Sequence, residues 1–222
     1  MQLKRKKNFT EGPLFWRMLL FALPIIATGV LQIFYSMADN IVVGQFSGDP
    51  NALGAVGSTS TLVTLFTGFL IGLSNGINVL VARFYGARHP KDVEKTVHSA
   101  AIISAIAGVV LLLIGLLGSS AMLNTKEDLL PGAILYLRVY FLGMPALALY
   151  NFGNAVFSSI GDTKKPLMYL SIAGALNILL NLFFVIVCDL SVVGVALASA
   201  ISQCVSAFLI LRRLFSTREV YG

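Results

Sequence analysis

The chain has 222 residues, of which 57% are hydrophobic and only 12% charged, with a formal charge of +6. Globular domains carry about 25% charged residues, and a mean hydropathy of +0.85 is more apolar surface than one soluble core of this length can hide. An ordinary soluble domain is excluded, and the basic excess does not indicate nucleic acid, because Lys and Arg fall between apolar runs rather than alternating with aromatics along one surface.

Six apolar runs are long enough to cross a bilayer as helices, so the expected class is an all-α integral membrane bundle forming a single unit over residues 1–222. The first run covers 16–43. Lys4, Arg5, Lys6 and Lys7 precede it in the manner of a secretory signal, but the run is too long, contains Pro24 and lacks a small-residue cleavage site, so it reads as a retained span. Phe15, Trp16 and Arg17 form its interfacial anchor. The second and third runs cover 53–81 and 97–118, the fourth 134–160, the fifth 167–187 and the sixth 192–214. A strand barrel would need alternating ten-residue segments, which the sequence lacks. Glycines recur along the runs, as at Gly108 and Gly115, and permit close helix packing. Cys188 ends the fifth run and Cys204 lies well inside the sixth, too far apart in depth for a bridge.

Lys and Arg place the loops. One side collects Lys4 to Lys7 and Arg17, then Arg83, Arg88, Lys91 and Lys95, then Lys164 and Lys165, then Arg212, Arg213 and Arg218. The opposite loops hold Lys126 alone, with Arg138 inside the fourth run. Both termini are therefore expected in the cytoplasm of a multi-pass cell-membrane protein, and the Asn8-Phe9-Thr10 glycosylation triplet becomes a chance match. The two inner hairpins, Tyr85-Gly86-Ala87-Arg88-His89-Pro90 and Ile160-Gly161-Asp162-Thr163-Lys164-Lys165-Pro166, read alike. Shared turn chemistry, with Gly ending one helix and Pro starting the next, accounts for that as well as duplication does.

Asp39 is the one acid inside an apolar run, where a charge is costly and marks function by default. Gln32, Tyr35, Ser36 and Asp39 stand at i, i+3, i+4 and i+7, a single polar stripe on the first span, with Pro24 further in as a bend point. On the fifth span Asn177 and Asn181 are one turn apart, and on the sixth Ser199 and Gln203 are too, at overlapping depths. Asn151 and Asn154 offer a further wall from the fourth span. These residues are expected to line one polar cavity in the outer half. A carboxylate with neutral oxygens suits a small hard cation, with sodium the metal that Asp39, Asn177 and Asn181 would hold. A carboxylate shielded from water is also a proton acceptor, since burial disfavours charge. For the Asn and Ser side chains, interhelical hydrogen bonding alone is an equal reading. No His-Glu-x-x-His, Gly-x-Ser-x-Gly or Walker loop is present, and His89 and His98 fall at or near an inner hairpin, so neither an enzyme nor a resident cofactor is expected.

Pro24, Gln32, Tyr35, Met37-Ala38-Asp39-Asn40 and Val43-Gly44 resemble the first helix of the multidrug and toxic compound extrusion (MATE) transporters. The resemblance continues through Val81-Ala82-Arg83-Phe84-Tyr85-Gly86-Ala87, Tyr136-Leu137-Arg138, Gly161-Asp162-Thr163-Lys164-Lys165-Pro166, Asn177 with Asn181, and Gly194-Val195-Ala196-Leu197-Ala198. It implies half of a twelve-helix, two-lobe, sodium- or proton-coupled antiporter that exports drugs or other organic, often cationic, compounds. It further implies a coupling site of Asp39, Asn177, Asn181 and Ser199, a cavity lined by Gln32, Tyr35 and Asn154, and a bend at Pro24. Some relatives carry a second acid where Asn181 stands. Expected partners are membrane lipid, the cargo, and a second six-helix lobe or another copy of the chain, the chain being either a fragment or a half-gene product. The alternatives are a flippase for lipid or polysaccharide precursors, and a membrane subunit that packs against partners without transporting.

The basic-residue asymmetry has a direct test. A cysteine placed between Phe46 and Pro50 reacts with impermeant thiol reagent added outside intact cells, and one at Lys164 does not; the reverse pattern inverts the topology.

Overall fold

The computed structural model describes residues 14–216; Lys4 to Lys7, the Asn8-Phe9-Thr10 triplet and Arg218 lie outside the described residues. Among the described residues there is no strand, and the chain forms seven α-helices. They are α1 (Leu14–Phe46), α2 (Ala52–Gly86), α3 (Pro90–Met122), α4 (Leu130–Phe141), α5 (Met144–Ser159), α6 (Lys164–Leu182) and α7 (Ser191–Ser216), with a π-helical turn, Phe183–Val187, continuing α6. Five spans are single helices or α6 with its π turn, and α4 with α5 supplies a sixth that is bent by 47°. α1, α2, α3 and α7 overrun their apolar stretches at both ends. The 35 residues of α2 reach about 52 Å at 1.5 Å per residue, against a hydrocarbon core of about 30 Å, so hydropathy marks only the part in lipid.

The break in the fourth span has a local cause. Pro145 has no N–H to give the Phe141 carbonyl, and its ring would clash with that carbonyl in a continuous helix. The chain instead tightens: Leu142 N–H donates to Val139 O at 3.2 Å and Gly143 N–H to Tyr140 O at 3.0 Å, each reaching back three residues, before α5 restarts with Leu147 N–H on Gly143 O at 2.9 Å. Glycines on the neighbours make room for the bend. A Cβ on Gly115 of α3 would overlap the Phe141 ring, and one on Gly108 would come within 2.6 Å of Pro145 Cα. From the other side a Cβ on Gly143 would meet Ala200 Cα of α7 at 3.0 Å. The broken span is thus wedged between α3 and α7.

Its two halves organise two apolar clusters. One, toward the loops that follow α1 and α3, gathers Val43, Leu70, Leu137, Phe141, Met144 and Val195. The other, toward the opposite hairpins, gathers Val81, Val93, Tyr150, Phe157, Ile210 and Leu214. α1 belongs to neither along most of its length. It packs chiefly on α6, and Val42 and Val43 near its end are its deeply buried positions among the described residues, with Ser47 buried just beyond it. α1 runs unbroken through Pro24, whose carbonyl accepts a bond from Thr28 Oγ1 at 2.9 Å.

The two hairpins that read alike close alike, but not in the same glycine register. His89 N–H reaches back to Phe84 O, and Asp162 N–H to Phe157 O, both across five residues. The left-handed residue before each is Arg88 (φ 58°) in the first and Gly161 (φ 86°) in the second. Gly86 still lies in α2.

Glycine packing around the bend predicts opposite outcomes for two similar changes. Gly108→Ala pushes a methyl into backbone, costing about 1–3 kcal/mol and lowering the melting temperature of the purified protein. Gly72→Ala, which meets nothing within 4 Å, leaves it unchanged or raises it through the helix preference of alanine, worth up to about 1 kcal/mol.

Candidate functional site

Asp39 lies on α1 two turns before its end, and α6 and α7 bring three polar side chains to it. Asp39 Oδ1 accepts a hydrogen bond from Asn181 Nδ2 at 2.5 Å, and Oδ2 accepts one from Ser199 Oγ at 3.1 Å. The circuit closes behind the carboxylate. Asn181 Nδ2 also donates to Asn177 Oδ1 at 3.2 Å, and Asn177 Nδ2 donates to Ser199 Oγ at 3.3 Å. Asp39, Asn181, Asn177 and Ser199 therefore form a ring of four side chains from three helices. Asn181 is fully buried, and Asn177 and Ser199 are buried too. Asn181 Oδ1 remains buried without a hydrogen-bond partner, an acceptor free for a further donor or a cation.

The sequence dictates this arrangement through helical spacing. Asn177 and Asn181 share a face of α6 because they are one turn apart, and Gly194, Ala196, Ala198 and Ala200 keep α7 slim beside them. Asn181 is the last polar residue before α6 widens into the π turn, where Cys188 N–H reaches back to Phe183 O at 3.1 Å. Such turns recur at functional sites. One turn below Asp39, Gly174 of α6 makes room for the Tyr35 ring, and Tyr35 OH donates to Leu170 O at 3.1 Å. Tyr35 and Asp39 are thus two polar ties between α1 and α6.

The remaining expected cavity residues divide. Gln32 is half-buried and Ser36 is exposed, on the same side of α1 as Tyr35 and Asp39. Gln203 does not join the ring; its Oε1 lies against Gly143 at the break between α4 and α5 and has no hydrogen-bond partner. Asn151 and Asn154 also stand apart from it. The bend carries α5 away from the ring, and both residues line a separate cavity of about 200 Å³ with Thr28, Asn75, Asn78 and Thr163. There Asn151 Nδ2 is turned back to Leu147 O at 2.9 Å, and Asn78 Nδ2 bridges to Ala155 O at 2.9 Å. Sequence reasoning gave no part to Asn75 and Asn78, although their i, i+3 spacing on α2 was visible.

Tyr136 and Tyr140 of α4 were likewise not assigned to the site. They stack at 5.9 Å with an interplanar angle of 21° and lie within electrostatic reach of Asp39. Their spacing of one turn was the available signal. The two histidines take local partners: His89 Nδ1 pairs with Asp92 at 3.2 Å, and His98 Nδ1 with Glu94 O at 2.9 Å. Cys188 and Cys204 are free and exposed.

Membrane-length helices that enclose a hydrogen-bonded carboxylate define an integral membrane helical bundle with a polar site inside it. The MatE family model matches residues 24–183, well over half of the chain, and the chain belongs to that family of transporters. It is 29% identical over 199 residues to the probable multidrug resistance protein YpnP of Bacillus subtilis, covering 88% of this chain and 44% of that protein. It is also 29% identical over 222 residues to the multidrug export protein MepA of Staphylococcus aureus, covering 96% and 48%. The chain thus spans about half the length of the curated relatives it matches. An outward-facing multidrug resistance MATE transporter superposes with a TM-score of 0.84 at 27% identity over 92% of this chain and 46% of that one. An inward-facing MATE transporter gives 0.79 at 27% identity over 89% and 47%.

The tie between Tyr35 and Leu170 is separable from the ring. Tyr35→Phe removes one hydrogen bond worth about 0.5–1.5 kcal/mol and leaves Asp39 untouched. Amide hydrogen exchange should quicken along the middle of α1 with little change in α7; equal protection in both proteins means the hydroxyl does not hold α1.

Proposed function

We propose that this chain acts as one lobe of an ion-driven exporter of organic compounds, and that Asp39, Asn177, Asn181 and Ser199 are where the driving ion binds. The observation that carries this reading is the closed ring around Asp39: a carboxylate, two amides and a hydroxyl from three helices, meeting in a bundle whose other polar groups are mostly spent on their own helices. The ring holds several neutral oxygens and one negative charge, and Asn181 Oδ1 is a buried acceptor without a donor. Rotation of the Asn181 amide would turn that oxygen toward Asp39. Oxygens then face each other, an arrangement stable only around a cation. The oxygen-only ligand set favours sodium over a proton as the coupling ion.

The relatives support the transport direction and the chemistry of the cargo. MepA is a multidrug export protein, and the outward- and inward-facing relatives show the family fold in two states. Alternating access needs two halves moving about a shared site, so this lobe works against a second one or another copy of the chain. Near the ring the α1 face carries the charge of Asp39, which suits a cationic or neutral organic compound. The loop charges support cytoplasmic termini and an Asp39 end of the bundle that faces the outside of the cell membrane.

Gradient-driven efflux from proteoliposomes containing the complete transporter, with sodium and proton gradients imposed separately, tests the assignment. Asp39→Asn keeps the side-chain volume but removes the charge, and abolishes coupled efflux while the protein still inserts and folds. Asn181→Ala leaves the charge and loses an oxygen, so it weakens apparent ion affinity and recovers flux at higher ion concentration. Coupled efflux at the normal rate with Asp39→Asn would overturn the site.

A further inference from the structure

Arg138 is an exposed cationic side chain well inside a span, with Leu135 and Leu142 exposed on either side of it. It stands eight residues into α4, about 12 Å along the helix, yet its Nε donates to Ser119 Oγ at 3.1 Å, and Ser119 is only three residues from the end of α3. The side chain therefore runs back toward the membrane surface and is held there by a fully buried serine. Among the described residues no carboxylate pairs with it. The guanidinium has further N–H donors, and a long cationic side chain turned toward the end of its span reaches for the boundary between hydrocarbon and headgroups.

Directly below is an apolar groove. Leu135, Arg138 and Leu142 share the exposed face of α4, and Leu142 forms one wall of a groove of about 360 Å³ whose other wall is Ala200, Ile201, Cys204, Val205 and Phe208 of α7. Those α7 positions follow helical spacing and lead from about 13 to 26 Å below the start of that helix. A cation at headgroup depth thus stands over an apolar channel of acyl-chain depth. The face is also turned away from α1: α4 packs on α2, α3 and α7, whereas α1 packs chiefly on α6. It looks onto lipid rather than onto the polar ring.

We propose that the seam formed by α3, α4 and α7 binds a single anionic phospholipid, its phosphate held by Arg138 with Ser119 fixing the guanidinium, and one acyl chain lying in the groove beside Cys204. Planar guanidinium donors match phosphate oxygens two at a time, and a charge within a span calls for a counter-ion, which the described residues do not supply. The site stands whichever way the bundle is oriented; placing the lipid in the outer leaflet rests on the topology proposed above.

Native mass spectrometry of the purified, delipidated protein titrated with phosphatidylglycerol or phosphatidylcholine tests this without any transport assay. One phosphatidylglycerol binds preferentially. Arg138→Gln weakens it about ten-fold or more, the scale of a charged hydrogen bond, whereas Arg138→Lys retains part of the preference. Cys204→Trp, which fills the groove and spares the charge, also weakens it and decides the matter should Arg138→Gln fail to fold. Inorganic phosphate does not compete. Equal binding of both lipids, unchanged binding by Arg138→Gln and Cys204→Trp, or displacement by inorganic phosphate overturns the proposal.

Discussion

The position of α1 depends on how one half-buried carboxylate is satisfied. In lipid a charge or a free polar atom has no water to turn to, so Asp39 must find its partners in the protein, and it finds them on α6 and α7. Apart from the apolar contacts of Val42 and Val43, α1 offers little else that is buried. Its attachment therefore combines two polar ties with the apolar packing of Leu31, Tyr35, Val42 and Val43. Apolar packing is insensitive to ions, whereas a polar attachment changes strength whenever something else binds the carboxylate.

The rest of the bundle is built differently. α3, α5 and α7 interlock around the break at Gly143 and Pro145, where backbone meets backbone through Gly108 on one side and Ala200 on the other. Close-packed contacts of this kind have no soft direction. Against this close-packed frame α1, which bears Asp39, is the least buried of the long spans among the described residues.

Much of this was legible in the residues, and the reasons differ from element to element. The spans were readable because lipid imposes a length and an apolar composition on them, and the meeting of Asp39 with Asn177, Asn181 and Ser199 was readable because depth along a helix is simple arithmetic. Depth carries no information about azimuth. Gln203 lies at a suitable height but faces Gly143, and Asn151 and Asn154 belong to a different cavity because the chain turns by 47° just before them. That turn was itself encoded in Gly143 and Pro145, but within a continuous apolar run hydropathy does not register a missing hydrogen-bond donor. Tyr136 and Tyr140 were given no part in the site for a related reason, since aromatics in an apolar span read as filling until a charge is found within electrostatic reach of them.

The broken span also bears on how the chain is made. α4 has 12 residues and α5 has 16, about 18 and 24 Å of helix, so neither half alone bridges a hydrocarbon layer of about 30 Å. During biosynthesis the two halves must enter the membrane as one segment, with the unpaired backbone groups of the bend briefly facing lipid. Only when α7 arrives, some fifty residues later in translation, is the second side of that bend covered. The nascent protein therefore passes through a stage in which its central element is inserted but only half enclosed, and α3, brought close by Gly108, is what covers it until then.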